Sequence, residues 1–165
     1  MLTDVAIIYL ALGTNLGKRE ANLRNAIAAL APPVRVIQES PIYETAPWGV
    51  EDQPHFLNMV VKAETELSPL ALLQLLKSLE TGLGRIPTFR YGPRLIDIDI
   101  LFYNDLILET PELTIPHPRL QERAFVLVPL ADVAPELVHP ILKKTTTELV
   151  SALDATGVVA TSYAR

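Results

Sequence analysis

The chain has no cysteine, only three histidines, and few aromatic residues, 6% of its 165 positions. The first absence excludes a disulfide framework, a thiolate metal site and a cysteine nucleophile, and suits a reducing compartment. Three histidines without paired spacing leave nothing for a zinc site. Sparse aromatics and a net charge of -5 argue against a single-strand nucleic-acid binder, which needs stacking platforms and a basic face. No apolar run approaches the roughly 20 residues that span a bilayer, and Met1-Leu2-Thr3-Asp4 lacks the basic start of a secretory signal. The expectation is a cytoplasmic protein, a single domain over residues 1–165 and a monomer, with neither membrane nor nucleic acid as partner. Two glycine motifs also fall short. Gly13-Thr14-Asn15-Leu16-Gly17-Lys18 has too few residues between its glycines for a P-loop and Arg19 where Ser or Thr is required, and Gly82-Leu83-Gly84 lacks the third glycine of a dinucleotide fingerprint.

Half of the residues are hydrophobic (49%), and their spacing predicts a sequence of elements. Val5 to Leu12 reads as a buried strand, and Leu23, Ala26, Ile27 and Leu30 recur at helical spacing until Pro32-Pro33. Val34 to Tyr43 and Phe56 to Ala63 read as two strands that pair. Ser68-Pro69 caps a second helix striped by Leu72, Leu73, Leu76, Leu79 and Leu83, and Leu95 to Tyr103 is the last strand. This order, β-α-β-β-α-β, predicts an antiparallel sheet with both helices on one face and the other face free for a ligand. Residues 104–140 carry six of fourteen prolines and predict a loop-rich cap with a short helix between Arg119 and Leu130.

The strongest chemical signal is Asp97-Ile98-Asp99. Alternation puts Ile96, Ile98, Ile100 and Phe102 on the core face and Asp97, Asp99, Leu101 and Tyr103 on the other. Two carboxylates about 7 Å apart on one face can converge on hard cations that also hold phosphates. Solvated strand residues are the plainer reading, but aspartate is depleted in strands. Five of nine arginines, Arg85, Arg90, Arg94, Arg119 and Arg123, lie between 85 and 123 with no lysine among them. Rigid guanidinium forks suit phosphate oxygens. Glu80 falls on the buried stripe of the second helix, where a carboxylate needs a partner, either a structural arginine or a loop near the site. Phe56 and Asn58 share the face away from Met59 and Val61, an aromatic plate beside an amide, with Phe125 a candidate second plate for a flat heterocycle.

Four segments, Leu12-Gly13-Thr14-Asn15-Leu16-Gly17, Asp52 to Asn58, Tyr91-Gly92-Pro93-Arg94 to Asp99, and Pro116-His117-Pro118-Arg119 with Arg123-Ala124-Phe125, occur in the order of one family. From about residue 6 to 140 the chain resembles 6-hydroxymethyl-7,8-dihydropterin pyrophosphokinase. The resemblance implies a ferredoxin-like α+β sandwich and transfer of diphosphate from ATP to the hydroxymethyl group of the pterin, releasing AMP, in folate biosynthesis. It implies that Asp97 and Asp99 bind two magnesium ions, and that Arg85, Arg94, His117 and Arg123 contact or cover the ATP phosphates. It places Phe56 and Phe125 on the two faces of the pterin, Asn58, Thr45, Ala46 and Trp48 at its edge, and Glu80 near the nucleotide. Pro87 stands where the family commonly has a second basic residue, and Tyr91 where it has tryptophan. Residues 141–165 lie outside the resemblance and carry no expected role. A non-catalytic nucleotide-binding regulatory domain of the same fold is the competing reading, but it would not need Asp97 and Asp99 together.

Overall fold

The computed structural model describes residues 4–45, 55–83 and 95–162. Strand β1 (Ala6–Thr14) lies at the centre of the main sheet, antiparallel to β4 (Phe56–Thr65) on one side and to β5 (Asp97–Tyr103) on the other. Beyond β4 lie β2 (Val34–Glu39) and β3 (Tyr43–Thr45), end to end along it and both antiparallel to it. The first and second strands of the βαββαβ order are thus parallel, with the third inserted between them, which is the predicted split βαβ and the ferredoxin-like fold.

Where the sequence predicts one strand over 34–43, Pro41 divides it. Proline offers no N–H to the ladder, and the pairing ends at Ser40, whose hydroxyl accepts from the Val60 N–H at 2.9 Å while its own N–H donates to the Val60 carbonyl at 2.9 Å. Helices α1 (Arg19–Leu30) and α2 (Pro69–Gly82) cover one face. Leu23, Ala26, Leu30, Leu72 and Leu76 pack there on Ile8, Leu10, Leu12, Met59, Val61 and Ile98, all nearly free of solvent. Ser68 caps α2, its hydroxyl accepting from the Ala71 N–H, with Pro69 at the first helical position.

The element order predicts a free opposite face, but that face is covered in part. Helix α3 (Ala124–Val133) and α4 (Thr146–Ser151) lie over part of it and build a second core from Tyr9, Val60, Leu101, Phe102, Val126, Leu127, Leu130 and Leu149. Phe102 therefore does not share a face with Ile98 and Ile100. The register shifts between Tyr9 and Leu10, which face Phe102 and Ile100, so Leu101 is the extra residue of a β-bulge and parity reverses after it. Phe102 turns to Tyr9 edge to face, with ring centroids 6.1 Å apart, and Tyr103 turns to the helix side, where its hydroxyl donates to the Leu67 carbonyl at 2.6 Å. Two short strands, β6 (Leu108–Glu109) and β7 (Thr114–Ile115), form a separate hairpin. The tail, which carries no sequence signal of its own, adds β8 (Val159–Ala160) to β3.

Candidate active site

The second face changes character along β1. Its residues shrink from Tyr9 through Ala11 to Gly13, so the surface descends from the packed core under α3 to an open polar floor. Register puts Asp97 and Asn58 directly opposite Gly13 from the two sides, and Asp99 and Val60 opposite Ala11. Directly opposed residues share a face, so Asp97, Gly13, Asn58 and Tyr43 form one row across the sheet. The middle residue of that row has no side chain of its own, and Asn58 reaches over it: a Cβ on Gly13 would meet the Asn58 Oδ1 at 3.0 Å and Phe56 at 3.9 Å.

Asn58 is buried, and its Nδ2 donates to the Thr45 Oγ1 at 2.9 Å, which turns its Oδ1 toward Gly13. Thr45 itself faces Phe56 across the last pair of the β3–β4 ladder. The aspartates stand on the other side of the row, both partly exposed. Between them the Ile98 N–H donates to the Glu80 Oε2 at 2.8 Å. The partner that buried Glu80 requires is therefore, at least in part, the backbone between the two carboxylates, and α2 fixes the height at which they project.

The bulge at Leu101 positions His117. Its carbonyl accepts the His117 N–H at 3.0 Å, and the His117 Nδ1 accepts from the Arg119 N–H at 3.2 Å, so the proton of the neutral ring is on Nε2. Burial, then the charges of Arg123 and Arg119, push the imidazole down to about 4. At neutral pH His117 is an uncharged donor. Arg123 follows at the start of α3, its guanidinium 5.7 Å from the Phe125 ring centroid in the first turn of that helix.

Beside Asp99 and His117 opens a cleft of about 220 Å³ between α2 and the β6–β7 hairpin. Leu73, Leu76 and Ile100 form apolar wall, and Lys77, Thr110 and Thr114 give polar groups at its rim. The sequence reading gives these residues no part in a site, nor Gly13 a spacing role; the taper from Tyr9 to Gly13 was the available signal for the latter. Of the predicted site residues, nine are described: β3, β4 and β5 carry Thr45, Phe56, Asn58, Asp97 and Asp99, Arg123 and Phe125 stand at the start of α3, His117 lies in the loop after β7, and Glu80 reaches the Ile98 N–H from α2 on the helix-covered face. Ala46, Trp48, Arg85 and Arg94, with Pro87 and Tyr91, lie outside the described residues.

Among the described residues no group of three or more histidines or acids surrounds a metal position. Two carboxylates are instead the donor set of a hard cation that completes its shell with water and substrate oxygen, as magnesium does. Asp97 and Asp99 stand partly exposed on β5 opposite Gly13 and Ala11, whose side chains are absent or small, so the residues fit the ion.

The family profile described as 7,8-dihydro-6-hydroxymethylpterin-pyrophosphokinase matches residues 9–135. A Bacillus subtilis protein named 2-amino-4-hydroxy-6-hydroxymethyldihydropteridine pyrophosphokinase is 49% identical over 133 residues, 79% of this chain and 80% of its own length. One of the same name from Methylorubrum extorquens is 46% identical over 91% of this chain and 95% of its own. The folic acid synthesis protein FOL1 of Dictyostelium discoideum is 45% identical over 87% of this chain, which spans only 22% of that longer protein. A solved Plasmodium falciparum HPPK-DHPS structure with pteroate superposes with a TM-score of 0.74 over 92% of this chain and 43% of its own, at 21% identity, a likeness of fold.

Proposed function

The chain belongs to the 7,8-dihydro-6-hydroxymethylpterin-pyrophosphokinase family, and on that premise we propose that it transfers diphosphate from ATP to 6-hydroxymethyl-7,8-dihydropterin in folate biosynthesis. The observation that carries the reading is the row Asp97, Gly13, Asn58: a cation-binding edge and a heterocycle-binding edge on one floor, separated by a residue without a side chain. A regulatory nucleotide binder would have no use for the second edge.

On this reading Asn58 and Thr45, locked to each other, present the amide oxygen to the pterin's edge, while Phe56 and Phe125 lie against its two faces. The adenosine of ATP occupies the cleft lined by Leu73, Ile100 and Thr114, which leads past His117 to Asp99. Asp97 and Asp99 hold two magnesium ions, which neutralise charge on the triphosphate. His117 donates a hydrogen bond through Nε2 without adding a charge, and Arg123, with Arg85 and Arg94, balances the phosphate oxygens. The hydroxymethyl oxygen attacks the β-phosphorus in line. A new O–P bond forms, the bond from that phosphorus to the bridging oxygen breaks with its electron pair going to AMP, and the hydroxyl proton passes to solvent. The protein's contribution is alignment of the two substrates and compensation of charge.

Among the described residues no helix is long and apolar enough to cross a membrane. The lack of cysteine supports a reducing, cytoplasmic setting, and a monomeric single domain over 1–165 is part of the same proposal. The test of the reaction is product identity. Incubated with ATP, magnesium and the reduced pterin, the protein should release AMP in step with pterin consumed; ADP with a monophosphorylated pterin would overturn the assignment.

A further inference from the structure

Arg19 opens α1, directly after the glycine motif that falls short of a P-loop, and has no part in the site described so far. Its Nη1 donates at 2.8 Å to the Glu44 Oε2 and, from the same nitrogen, at 2.8 Å to the His55 carbonyl. Glu44 immediately precedes Thr45 and His55 immediately precedes Phe56, and Thr45 and Phe56 are the terminal cross-strand pair of the β3–β4 ladder. One nitrogen therefore ties together the two strands beside their last pair, the point where a three-residue strand is most prone to fray. We infer that Arg19 is a positioning residue for the pterin side of the site: it holds the Thr45–Phe56 pair closed and, through the Thr45 to Asn58 hydrogen bond, sets the direction of the Asn58 amide.

The plainer reading is a surface ion pair of little consequence, and for folding that reading is adequate. Arg19 and Glu44 side chains are 25% and 38% exposed, a setting in which a pair stabilises the fold weakly. What distinguishes Arg19 is where the bridge lands. Arg24, one turn further along α1, makes the same kind of bond at 3.0 Å to Glu39. Glu39 is on β2, remote from the Thr45–Phe56 pair, so Arg24 serves as an internal control for a bridge that supports the sheet without touching the site. The role of Arg19 rests on the diphosphate-transfer reading, because it has meaning only if Thr45, Phe56 and Asn58 bind the pterin.

The test is titration of the whole protein, with magnesium, by 6-hydroxymethyl-7,8-dihydropterin and separately by α,β-methylene ATP, whose bridge carbon blocks transfer. Arg19→Ala should raise the pterin Kd about tenfold and leave the nucleotide Kd within about twofold, since a shifted recognition pair affects only the ligand it touches. Arg19→Lys, whose ammonium can still donate to both oxygens, should recover most of the loss, and Arg24→Ala should change neither constant. Should Arg19→Ala fail to fold, Glu44→Gln, which weakens the same bridge from the strand side, should show the same selective loss. A pterin Kd unchanged in Arg19→Ala, a nucleotide Kd that rises in step with it, or an equal effect from Arg24→Ala would overturn the assignment. Wild-type protein that binds the nucleotide analogue but takes up no pterin even when saturated with that analogue would overturn the proposed function itself, and this role with it.

Discussion

The two faces of the central sheet are made by the same strands, yet they obey different rules. On the helix-covered face, Ile8, Leu10 and Leu12 of β1 and Leu57, Met59, Val61 and Ala63 of β4 are interchangeable in kind: each is apolar, solvent-free and packed by α1 or α2. On the opposite face, alternate residues of the same strands run from Tyr9 to Gly13 and from Val60 to Asn58 and Phe56, and no two neighbours do the same thing. The first face specifies that the sheet forms. The second specifies what it meets, and it can do so because half of it, under α3, is already packed and holds the other half in register.

The largest way to sharpen this contrast is Asp97→Asn or Asp99→Asn. Either substitution keeps shape and removes a charge, so magnesium-dependent turnover should fall by about a hundredfold or more while the melting temperature of the metal-free protein hardly moves. Activity preserved in a destabilised protein would make the carboxylates structural. The converse is Leu10→Ala on the helix side. A cavity there should cost about 3 kcal/mol in denaturant unfolding, with the Michaelis constants of the folded fraction unchanged. Next in size, Phe56→Ala should weaken pterin binding by on the order of 1 kcal/mol and leave nucleotide binding alone; calorimetry showing equal losses would reassign Phe56 to packing.

The last effect is one of pH. His117 titrates near 4 in the folded protein against 6.5 in the unfolded chain, so below 6.5 the unfolded state takes up a proton that the native state refuses. Stability present in full above 6.5 should therefore decline as pH falls toward 4. His117→Asn should flatten that decline in pH-dependent melts, leaving the share of His139, which burial also lowers.

Much of this was legible from spacing. The face of Asp97 and Asp99, the capped start of α2, and the need of Glu80 for a partner all follow from short-range periodicity, and short-range periodicity survives folding. What the sequence hid was of another kind. A bulge is a change of parity at one residue, and nothing in Leu101-Phe102 distinguishes it from its neighbours; the cause lies across the sheet, where Tyr9 and Leu10 stay in step while Leu101 is extruded. The second core was missed because its halves come from a strand at 9, another at 101 and helices near 127 and 149, none of which is strongly patterned alone. Pro41 was visible, but reading it as a break required knowing that the Ser40 hydroxyl could satisfy the Val60 N–H where the ladder stops.

The pairing of β8 with β3 bears on the chain's behaviour among its own copies. A ferredoxin-like sheet has two rims, and each is a row of backbone groups on which a strand from another molecule could assemble. Here neither is left bare along its whole length. At one rim Val159 and Ala160 lie against Glu44 and Tyr43, and Thr161 closes the row by donating from both backbone and hydroxyl to the Ile42 carbonyl, 119 residues away in sequence. At the other, the His117 N–H occupies the carbonyl of the bulged Leu101. The last strand is short, exposed and weakly hydrophobic, a poor contributor to folding energy. What it does is occupy the rim along Tyr43 and Glu44 of β3, so that a strand from another copy meets there a two-residue, exposed edge instead of the bare side of β3.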